Sequence, residues 1–330
     1  MGTDPIGLIS RLNALSLMLI TPEYYKIKRS RIKTANRIDQ SPANFAMQLR
    51  EIQVDGLTIR FARGGNSDGP TILFLSPLPQ SILCYDAVWK ALASKAKLIA
   101  IDMPGFGGSE GRKDLMSFAA QSAFFEKIVA ALDLSDFHVV APDVAMPVAL
   151  HYVLHRNHKA NSLLIGDGPG ILPSADGSLI RKIVGSRFWR MMVNMTGART
   201  FIAGANTLGY LHYSPKAEEV SDYVASYANR IAQVTKFFKG YPDGLKEIDP
   251  YIDSLNLPVH VFWGDHDAFL NADNARELHA RLPNSELTIF EHCGHFSYQD
   301  KSTEFSTMIS SWVRLNLDQI DQRSINTERA

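Results

Sequence analysis

The sequence predicts an α/β protein whose mostly parallel sheet is interrupted late in the chain by a helical insertion. Three observations support this fold class. Short apolar runs alternate with segments of helical periodicity from about residue 45 onward. The first two runs are separated only by Asp55-Gly56, a dipeptide typical of a β-hairpin turn. After Gly170, about eighty residues are helical in pattern and rich in Tyr, Phe and Met, and the strand pattern resumes beyond them.

Eight strands are predicted, of which the first two form an antiparallel pair. The later runs are continuously apolar rather than alternating, which is typical of parallel strands covered by helices on both faces. The predicted strands lie within residues 47–54, 57–65, 71–77, 97–105, 137–143, 161–170, 258–267 and 286–295. The predicted core helices lie within residues 85–94, 117–134, 144–156, 271–282 and 303–315. We therefore expect an N-terminal helical extension (1–44), a core (45–170 and 251–318), a helical cap (171–250) and a C-terminal tail (319–330).

The composition is that of a globular protein, and its balance of charges suits a small neutral ligand. Lys and Arg together number 34, as do Asp and Glu, so the net charge is +0 and no overall field attracts nucleic acid. The two cysteines, Cys84 and Cys293, are too few for a disulfide framework or a CxxC metal site. These features favour a reducing, cytoplasmic compartment and are compatible with a homodimer.

The N-terminal segment carries an apolar stretch at residues 6–20. Arg11 and Asn13 interrupt it, and it is too short to span a bilayer, so no transmembrane segment is predicted. We expect a helix that covers the domain or a partner. The alternative is contact with a membrane surface, which the basic side chains that follow would assist. They are Lys26, Lys28, Arg29, Arg31 and Lys33.

Three motifs, in order along the chain, resemble those of the α/β-hydrolase fold family. Residues 102–109 (DMPGFGGS) resemble its D-x-P-G-x-G-x-S loop, residues 76–81 (SPLPQS) resemble its His-Gly-x-Pro loop, and Gly294-His295-Phe296 resembles its C-terminal histidine motif. The resemblance covers about Phe45 to Leu317. It implies an eight-stranded, mostly parallel sheet flanked by helices, with a helical cap inserted after the sixth strand.

The family's nucleophile elbow has the pattern small-x-nucleophile-x-small, because bulky flanking residues would collide with neighbouring elements. Here the pattern reads Ala141-Pro142-Asp143-Val144-Ala145, so the resemblance places Asp143 at the nucleophile position. An aspartate there can also serve simply as the N-cap of the following helix. A carboxylate is ionised near neutral pH and can attack an electrophilic sp³ carbon, which would give an alkyl ester of Asp143.

The resemblance also assigns the partners of Asp143. His295 would activate a water that hydrolyses the ester, and the backbone N–H groups of Leu78 and Val144 would stabilise the oxyanion. Two carboxylates compete to orient His295: Asp267, after the seventh strand, and Asp167, after the sixth. We favour Asp267, the family's usual position. The loop departs from the family pattern, since Ser76-Pro77 replaces His-Gly, but the expected donors are main-chain groups.

Two groups of enzymes with this fold use an aspartate in this way, haloalkane dehalogenases and epoxide hydrolases. Dehalogenases bind the halide through a Trp after the nucleophile and a donor in the oxyanion loop, whereas Val144 and Leu78 have no side-chain donor. Epoxide hydrolases use cap tyrosines to bind the ring oxygen. The cap contains Tyr210, Tyr213, Tyr223, Tyr227 and Tyr241. Of these, we expect Tyr213 and Tyr227 to point inward, into a pocket lined by apolar cap residues.

The sequence thus predicts a hydrolase, epoxide hydrolase-like, that acts on an apolar small molecule and needs neither a cofactor nor a metal. His151, His155 and His158 have helical spacing but no accompanying carboxylate or cysteine, so we interpret them as a helix face rather than a metal site. The alternatives are a haloalkane dehalogenase, a lyase or lactone-opening enzyme in which Asp143 attacks or acts as a base, and a non-catalytic small-molecule-binding protein.

Overall fold

The structure, a computed structural model, describes residues 4–314. The predicted C-terminal tail, 319–330, lies outside these residues. At the centre is one eight-stranded sheet with the strand order β1-β2-β4-β3-β5-β6-β7-β8. Its strands are β1 (Leu49–Val54), β2 (Leu57–Gly65), β3 (Thr71–Leu75), β4 (Lys97–Ile101), β5 (Phe137–Pro142), β6 (Ala160–Gly166), β7 (Val259–Gly264) and β8 (Ser285–Phe290).

The predicted α/β-hydrolase fold is confirmed by this sheet. β2 pairs antiparallel with β1 and with β4, and all later neighbours pair parallel. The β1–β2 turn is the predicted one, with positive φ at both Asp55 (49°) and Gly56 (77°), as a two-residue hairpin of this type requires. Every residue of β5 and β7 is buried, including His138 and His260, as expected for strands covered by helices on both faces.

Helices cover both faces of the sheet, and a group of four separates β6 from β7. The helices of the core are α3 (Asp86–Leu92), α4 (Phe118–Ala131), α5 (Ala145–His155), α10 (Asp273–Arg281) and α11 (Ser297–Asp300), and residues 302–314 are also helical. The helices of the cap are α6 (Ser178–Gly185), α7 (Arg187–Gly209), α8 (Ala217–Tyr227) and α9 (Ile231–Leu245). The chain bends within α7 at Gly197, where φ is 73°.

Two further helices precede the sheet, α1 (Leu8–Met18) and α2 (Pro22–Ser30). α1 packs against α7 and buries Ala14 and Met18. After α2, the Arg31 guanidinium donates hydrogen bonds to the carbonyl oxygens of Thr207 and Tyr210, which fastens the segment to the end of α7. Among the described residues, no helix is long and apolar enough to cross a membrane.

Candidate active site

Asp143 lies at the turn between β5 and α5, where its φ is 52°. The Asp143 N–H donates to the Gly166 carbonyl (2.9 Å), and its own carbonyl accepts from the Met146 N–H (3.0 Å). Neighbouring backbone is so close that a Cβ at Gly168 would lie 2.3 Å from the Asp143 carbonyl oxygen. The residue at the N-cap of α5 is Val144, and no side chain caps this helix, so the Asp143 carboxylate is not used as a helix cap.

His295 and Asp267 lie beside Asp143, on the loops that follow β8 and β7. His295 Nε2 is 3.7 Å from Asp143 Oδ1, and His295 Nδ1 is 2.8 Å from Asp267 Oδ2. The second oxygen of Asp267 accepts hydrogen bonds from the N–H groups of Phe269 (2.8 Å) and Leu270 (3.0 Å), which holds the carboxylate in position. The structure therefore brings the three predicted residues together in the order Asp143, His295, Asp267.

The imidazole of His295 lies between two carboxylates. Its complete burial disfavours a positive charge, but the charges of Asp267 and Asp143 and the hydrogen bond to Asp267 outweigh this and raise the pKa of His295 well above its usual range. A protonated His295 cannot accept a proton from water. Removal of the negative charge of Asp143 would lower this pKa toward the range in which the imidazole can act as a base.

Asp167, the alternative acid, is buried nearby but forms no hydrogen bond with His295. Its carboxylate accepts hydrogen bonds from the Gly264 N–H (3.0 Å) and the Ser297 hydroxyl (2.5 Å). Burial, reinforced by the charge of Asp267, raises the pKa of Asp167 well above its usual range. Between the two candidates, Asp267 is the carboxylate in contact with His295.

The two expected backbone donors flank Asp143. The Leu78 N–H donates to Asp143 Oδ2 at 2.7 Å, so the two carboxylate oxygens have different surroundings, one bound by the loop and the other facing His295. Val144 starts the helix beside Asp143, and both Leu78 and Val144 also line the cavity above the carboxylate.

This cavity lies between the core and the cap and encloses about 1040 Å³ of empty space, including its open mouth. Its wall is almost entirely apolar apart from Asp143, His295, Tyr241 and two threonines. The apolar side chains of the wall include Leu17, Met18, Ile180, Ile183, Trp189, Met192, Val193, Phe201, Phe237, Phe238, Phe269 and Phe296. The apolar pocket expected from the cap sequence is therefore present, and α1 contributes to its wall.

The expectation that Tyr213 and Tyr227 would face this cavity is wrong. The Tyr213 hydroxyl donates to the carboxylate of Glu219 (2.8 Å), and the Tyr227 hydroxyl contacts the Gln80 carbonyl (3.2 Å) and the Gly107 N–H (3.1 Å). Neither residue lines the cavity. They are structural rather than substrate-facing.

Tyr241 is the tyrosine that lines the cavity, and the sequence contains a signal for it that we did not use. Phe237, Phe238 and Tyr241 are spaced as neighbours on one face of α9 and all line the cavity. The Tyr241 hydroxyl lies 2.8 Å from both Asp176 Oδ1 and Ser174 Oγ. Burial and the nearby Asp176 raise the pKa of Tyr241, so the phenol keeps its proton.

His151 and His155, on the helix after the elbow, have local partners. His151 Nδ1 is 2.7 Å from Ser122 Oγ and its Nε2 is 3.2 Å from Glu247 Oε2. Within residues 4–314, no group of three or more His, Cys, Asp or Glu side chains is arranged to hold a metal ion.

Comparisons with known proteins agree with the fold. A family model described as alpha/beta hydrolase fold matches residues 70–302. The chain is 22% identical to a monoacylglycerol lipase from Bos taurus, over 81% of this chain and 82% of the relative. It is also 22% identical to a 2-hydroxy-6-oxononadienedioate/2-hydroxy-6-oxononatrienedioate hydrolase from Burkholderia vietnamiensis, over 66% and 76%. A haloalkane dehalogenase from Bradyrhizobium elkani has a similar structure, with a TM-score of 0.71, 20% identity, and coverage of 83% of this chain and 99% of the dehalogenase.

Proposed function

Since the chain belongs to the α/β-hydrolase fold family, we propose that it is a hydrolase that uses Asp143 as a nucleophile and opens an apolar epoxide through a covalent ester. The main support is the position of the Asp143 carboxylate. One of its oxygens is bound by the Leu78 N–H, the other faces His295, and an apolar cavity lies above it. His295 is in turn held by Asp267.

In the first step, Asp143 Oδ1 attacks a ring carbon of the epoxide and the carbon–oxygen bond of the ring breaks. In-line displacement places the departing oxygen on the far side of that carbon, toward the cap, where its developing charge needs a proton or a hydrogen bond. Tyr241 is the tyrosine in the cavity wall, so we assign it this role. Its hydroxyl, bound to Asp176 and Ser174 in this structure, exchanges these partners for the epoxide oxygen when the substrate binds. The product is an alkyl ester of Asp143 with a neighbouring hydroxyl group.

In the second step, a water attacks Cγ of the esterified Asp143. Esterification removes a negative charge from beside His295, so the pKa of the imidazole falls. The imidazolium proton passes through solvent to the Tyr241 phenolate left by the first step, and the neutral His295 can then accept the water proton. Oδ2 becomes the oxyanion, and it already lies on the Leu78 N–H. When the Cγ–Oδ1 bond breaks, Oδ1 takes the proton of the added hydroxyl and leaves with the diol. The oxygen of the water stays in the carboxylate of Asp143, and His295 is again protonated, as in the resting site.

Epoxide opening fits this cavity better than halide displacement. A halide leaving group needs N–H donors close to the nucleophile, and the side chains of Val144 and Leu78, which flank Asp143, cannot donate. The indole of Trp189 does line the cavity, so alkyl halides belong in the substrate panel.

The decisive experiment is a single turnover in H₂¹⁸O with enzyme in excess over styrene oxide, a 1,2-epoxyalkane or a 1-haloalkane. We expect ¹⁸O in the peptide that contains Asp143 and none in the first-turnover product. His295→Gln should accumulate the ester, seen as protein mass increased by the mass of the epoxide, and Asp143→Asn should form no adduct.

Two results would contradict the proposal. If ¹⁸O enters the product directly while Asp143 stays unlabelled, Asp143 acts as a base rather than as a nucleophile. If the His295→Gln variant forms an adduct only with haloalkanes, the enzyme is a dehalogenase.

A further inference from the structure

The outer face of α1 is apolar although it is exposed to solvent. Leu8, Ile9 and Leu12 are 71%, 76% and 55% exposed, and Leu19 and Ile20, just after the helix, are also exposed. Helical spacing places Ile9 and Leu12 on the side away from the buried Ala14 and Met18. The helix is therefore apolar on both sides, whereas a helix that only covers a domain has a polar outer face.

The first half of α7 has the same character. Phe188, Met191 and Met195 have the spacing i, i+3, i+7 and are 58%, 49% and 74% exposed. Their neighbours Trp189 and Met192 point the other way and line the cavity. α1 likewise lines the cavity from its inner side, so the two exposed apolar faces belong to two of the helices that wall the cavity.

Two sequence segments rich in basic residues accompany these faces. Residues 24–38 contain six Lys or Arg and no Asp or Glu, and residues 177–217 likewise contain six and none. The whole chain has 34 of each sign, so these two segments are enriched in positive charge, although Glu23, Asp176 and Asp265 line the same cleft as Lys26 and Arg29. Within residues 4–314, Lys26, Lys28, Arg29 and Lys33 form no salt bridge.

We propose that this part of the molecule docks on an anionic lipid bilayer. The docking surface consists of Leu8, Ile9, Leu12, Leu19, Ile20, Phe188, Met191 and Met195. Apolar side chains on helices flanked by Lys and Arg are the features that bind a helix in the plane of a membrane, with the apolar face among the acyl chains and the cations at the phosphates. Docking would bring both helices of the cavity wall into the lipid, so an apolar substrate could pass from the bilayer to the cavity.

The presence of basic residues beside the exposed apolar side chains favours a lipid surface over a protein partner. An exposed apolar surface of this kind marks an interaction site, but apolarity alone does not say with what. The basic residues supply the distinction, because they match the negative surface of an anionic leaflet. The inference concerns where the protein acts and does not depend on the reaction at Asp143.

Vesicle flotation of the full-length protein tests the proposal. We expect binding to phosphatidylcholine vesicles that contain phosphatidylserine, weaker binding to phosphatidylcholine alone, and loss of the difference at high salt. Leu8→Ser/Ile9→Ser/Leu12→Ser and Phe188→Ser/Met191→Ser/Met195→Ser should each weaken binding about tenfold or more to both kinds of vesicle. Lys26→Glu/Lys28→Glu/Arg29→Glu should weaken binding only to the anionic vesicles, by about fivefold or more for each charge removed.

Matched controls are available on other surfaces. Leu49 and Tyr251 are exposed apolar residues outside the docking surface, and Lys95 is an exposed lysine far from it in sequence. Leu49→Ser/Tyr251→Ser and Lys95→Glu should bind like the natural protein, and so should Asp143→Asn. Unchanged far-UV circular dichroism would show that each variant is folded.

Three outcomes would overturn the proposal. The natural protein could fail to bind either kind of vesicle, or the two apolar triple variants could bind as well as the controls. Alternatively, light scattering could show a dimer that these same substitutions dissociate while vesicle binding is absent, in which case the docking surface joins two copies of the chain.

Discussion

Asp143 adopts a left-handed backbone conformation, with φ of 52°, in which a non-glycine residue costs of order 1–3 kcal/mol. The hydrogen bonds of its N–H and carbonyl to β6 and α5 hold it there. This conformation directs the carboxylate out of the sheet, between the Leu78 N–H and His295. The negative charge of Asp143 is thereby held beside His295. The pKa of His295 therefore depends on its two carboxylate neighbours, Asp143 and Asp267.

Substitution of either carboxylate should lower the pKa of His295, and Asp267→Asn should lower it more than Asp143→Asn. Asp267 contributes the largest favourable charge effect together with a hydrogen bond at 2.8 Å, whereas Asp143 Oδ1 is 3.7 Å away. NMR titration of the His295 ring checks the order, with His266 as an internal reference. An equal or reversed order would mean that Asp267 does not hold the charge of His295.

A test of Tyr241 distinguishes the proposed reaction from one in which no cap side chain donates a proton to the departing oxygen. Tyr241→Phe removes the phenol from the cavity wall and keeps the ring, so we expect epoxide opening to slow by about 10²-fold, the scale typical of a lost acid catalyst. Tyr213→Phe and Tyr227→Phe, whose hydroxyls are bound elsewhere, are the matched controls.

Pre-steady-state formation of the ester, measured in an His295→Gln background, is the appropriate readout because it isolates the first step. Ester formation at the natural rate in Tyr241→Phe would remove Tyr241 from the reaction. A similar decrease in all three phenylalanine variants would indicate a general loss of cap structure.

Among the elements, Arg60 on β2 connects the core to the cap helix α8. Its guanidinium binds Asp102 (2.5 Å) in the DMPGFGGS loop and Asp222 (2.6 Å) on α8. Ser81, from the loop that carries Leu78, also donates to Asp222 (2.6 Å). Gly107 is required here, because its φ is 48° and a Cβ would lie 2.1 Å from Asp102 Oδ1. The motif loop is thus tied to both the sheet and the cap.

Arg60→Met should destabilise the protein by about 3–5 kcal/mol, because it leaves the completely buried Asp102 without its counterion. Asp222→Asn should cost about 1 kcal/mol, since that carboxylate is partly exposed and the Arg60–Asp102 pair survives. Urea unfolding measures both. An equal decrease in the free energy of unfolding in the two variants would show that the buried Arg60–Asp102 pair stabilises the fold no more than the Arg60–Asp222 pair does.

Features that depend on a few neighbouring residues could be predicted from the sequence. The Asp55-Gly56 hairpin follows from turn sterics, and the resemblance to the family's elbow pattern implied the place of Asp143 at the turn between β5 and α5. The orientation of cap side chains was not predictable in this way, because it depends on the rotation of each helix against its neighbours. Phe188 and Met191 are exposed while Trp189 and Met192 line the cavity, and a stretch that is apolar all round gives no signal to separate them.

At the scale of the whole molecule, a buried polar network joins the cap to the loops that form the site. Glu219 on α8 accepts hydrogen bonds from the Tyr213 hydroxyl and from Gln299 Nε2 (3.2 Å), and Gln299 Oε1 accepts one from Gln80 (2.6 Å) on the loop that carries Leu78. Burial raises the pKa of Glu219 to about 7. This carboxyl therefore binds a proton more tightly in the folded protein than in the unfolded chain.

Stability should fall as the pH rises from about 5 to 8. Between the ordinary pKa of a glutamate and about 7, the folded state holds a proton on Glu219 that the unfolded state has lost, so raising the pH favours unfolding. The full loss, reached above pH 7, is about 3 kcal/mol for one group shifted by this amount.

Glu219→Gln should remove this part of the pH dependence, whatever its effect at a single pH. His295, whose pKa is also raised, adds a loss in the same direction, but it is common to both proteins and cancels in the comparison. Urea unfolding at pH 5 and pH 8 provides the test. If the free energy of unfolding changes by the same amount between these pH values in the natural protein and in Glu219→Gln, Glu219 is ionised throughout.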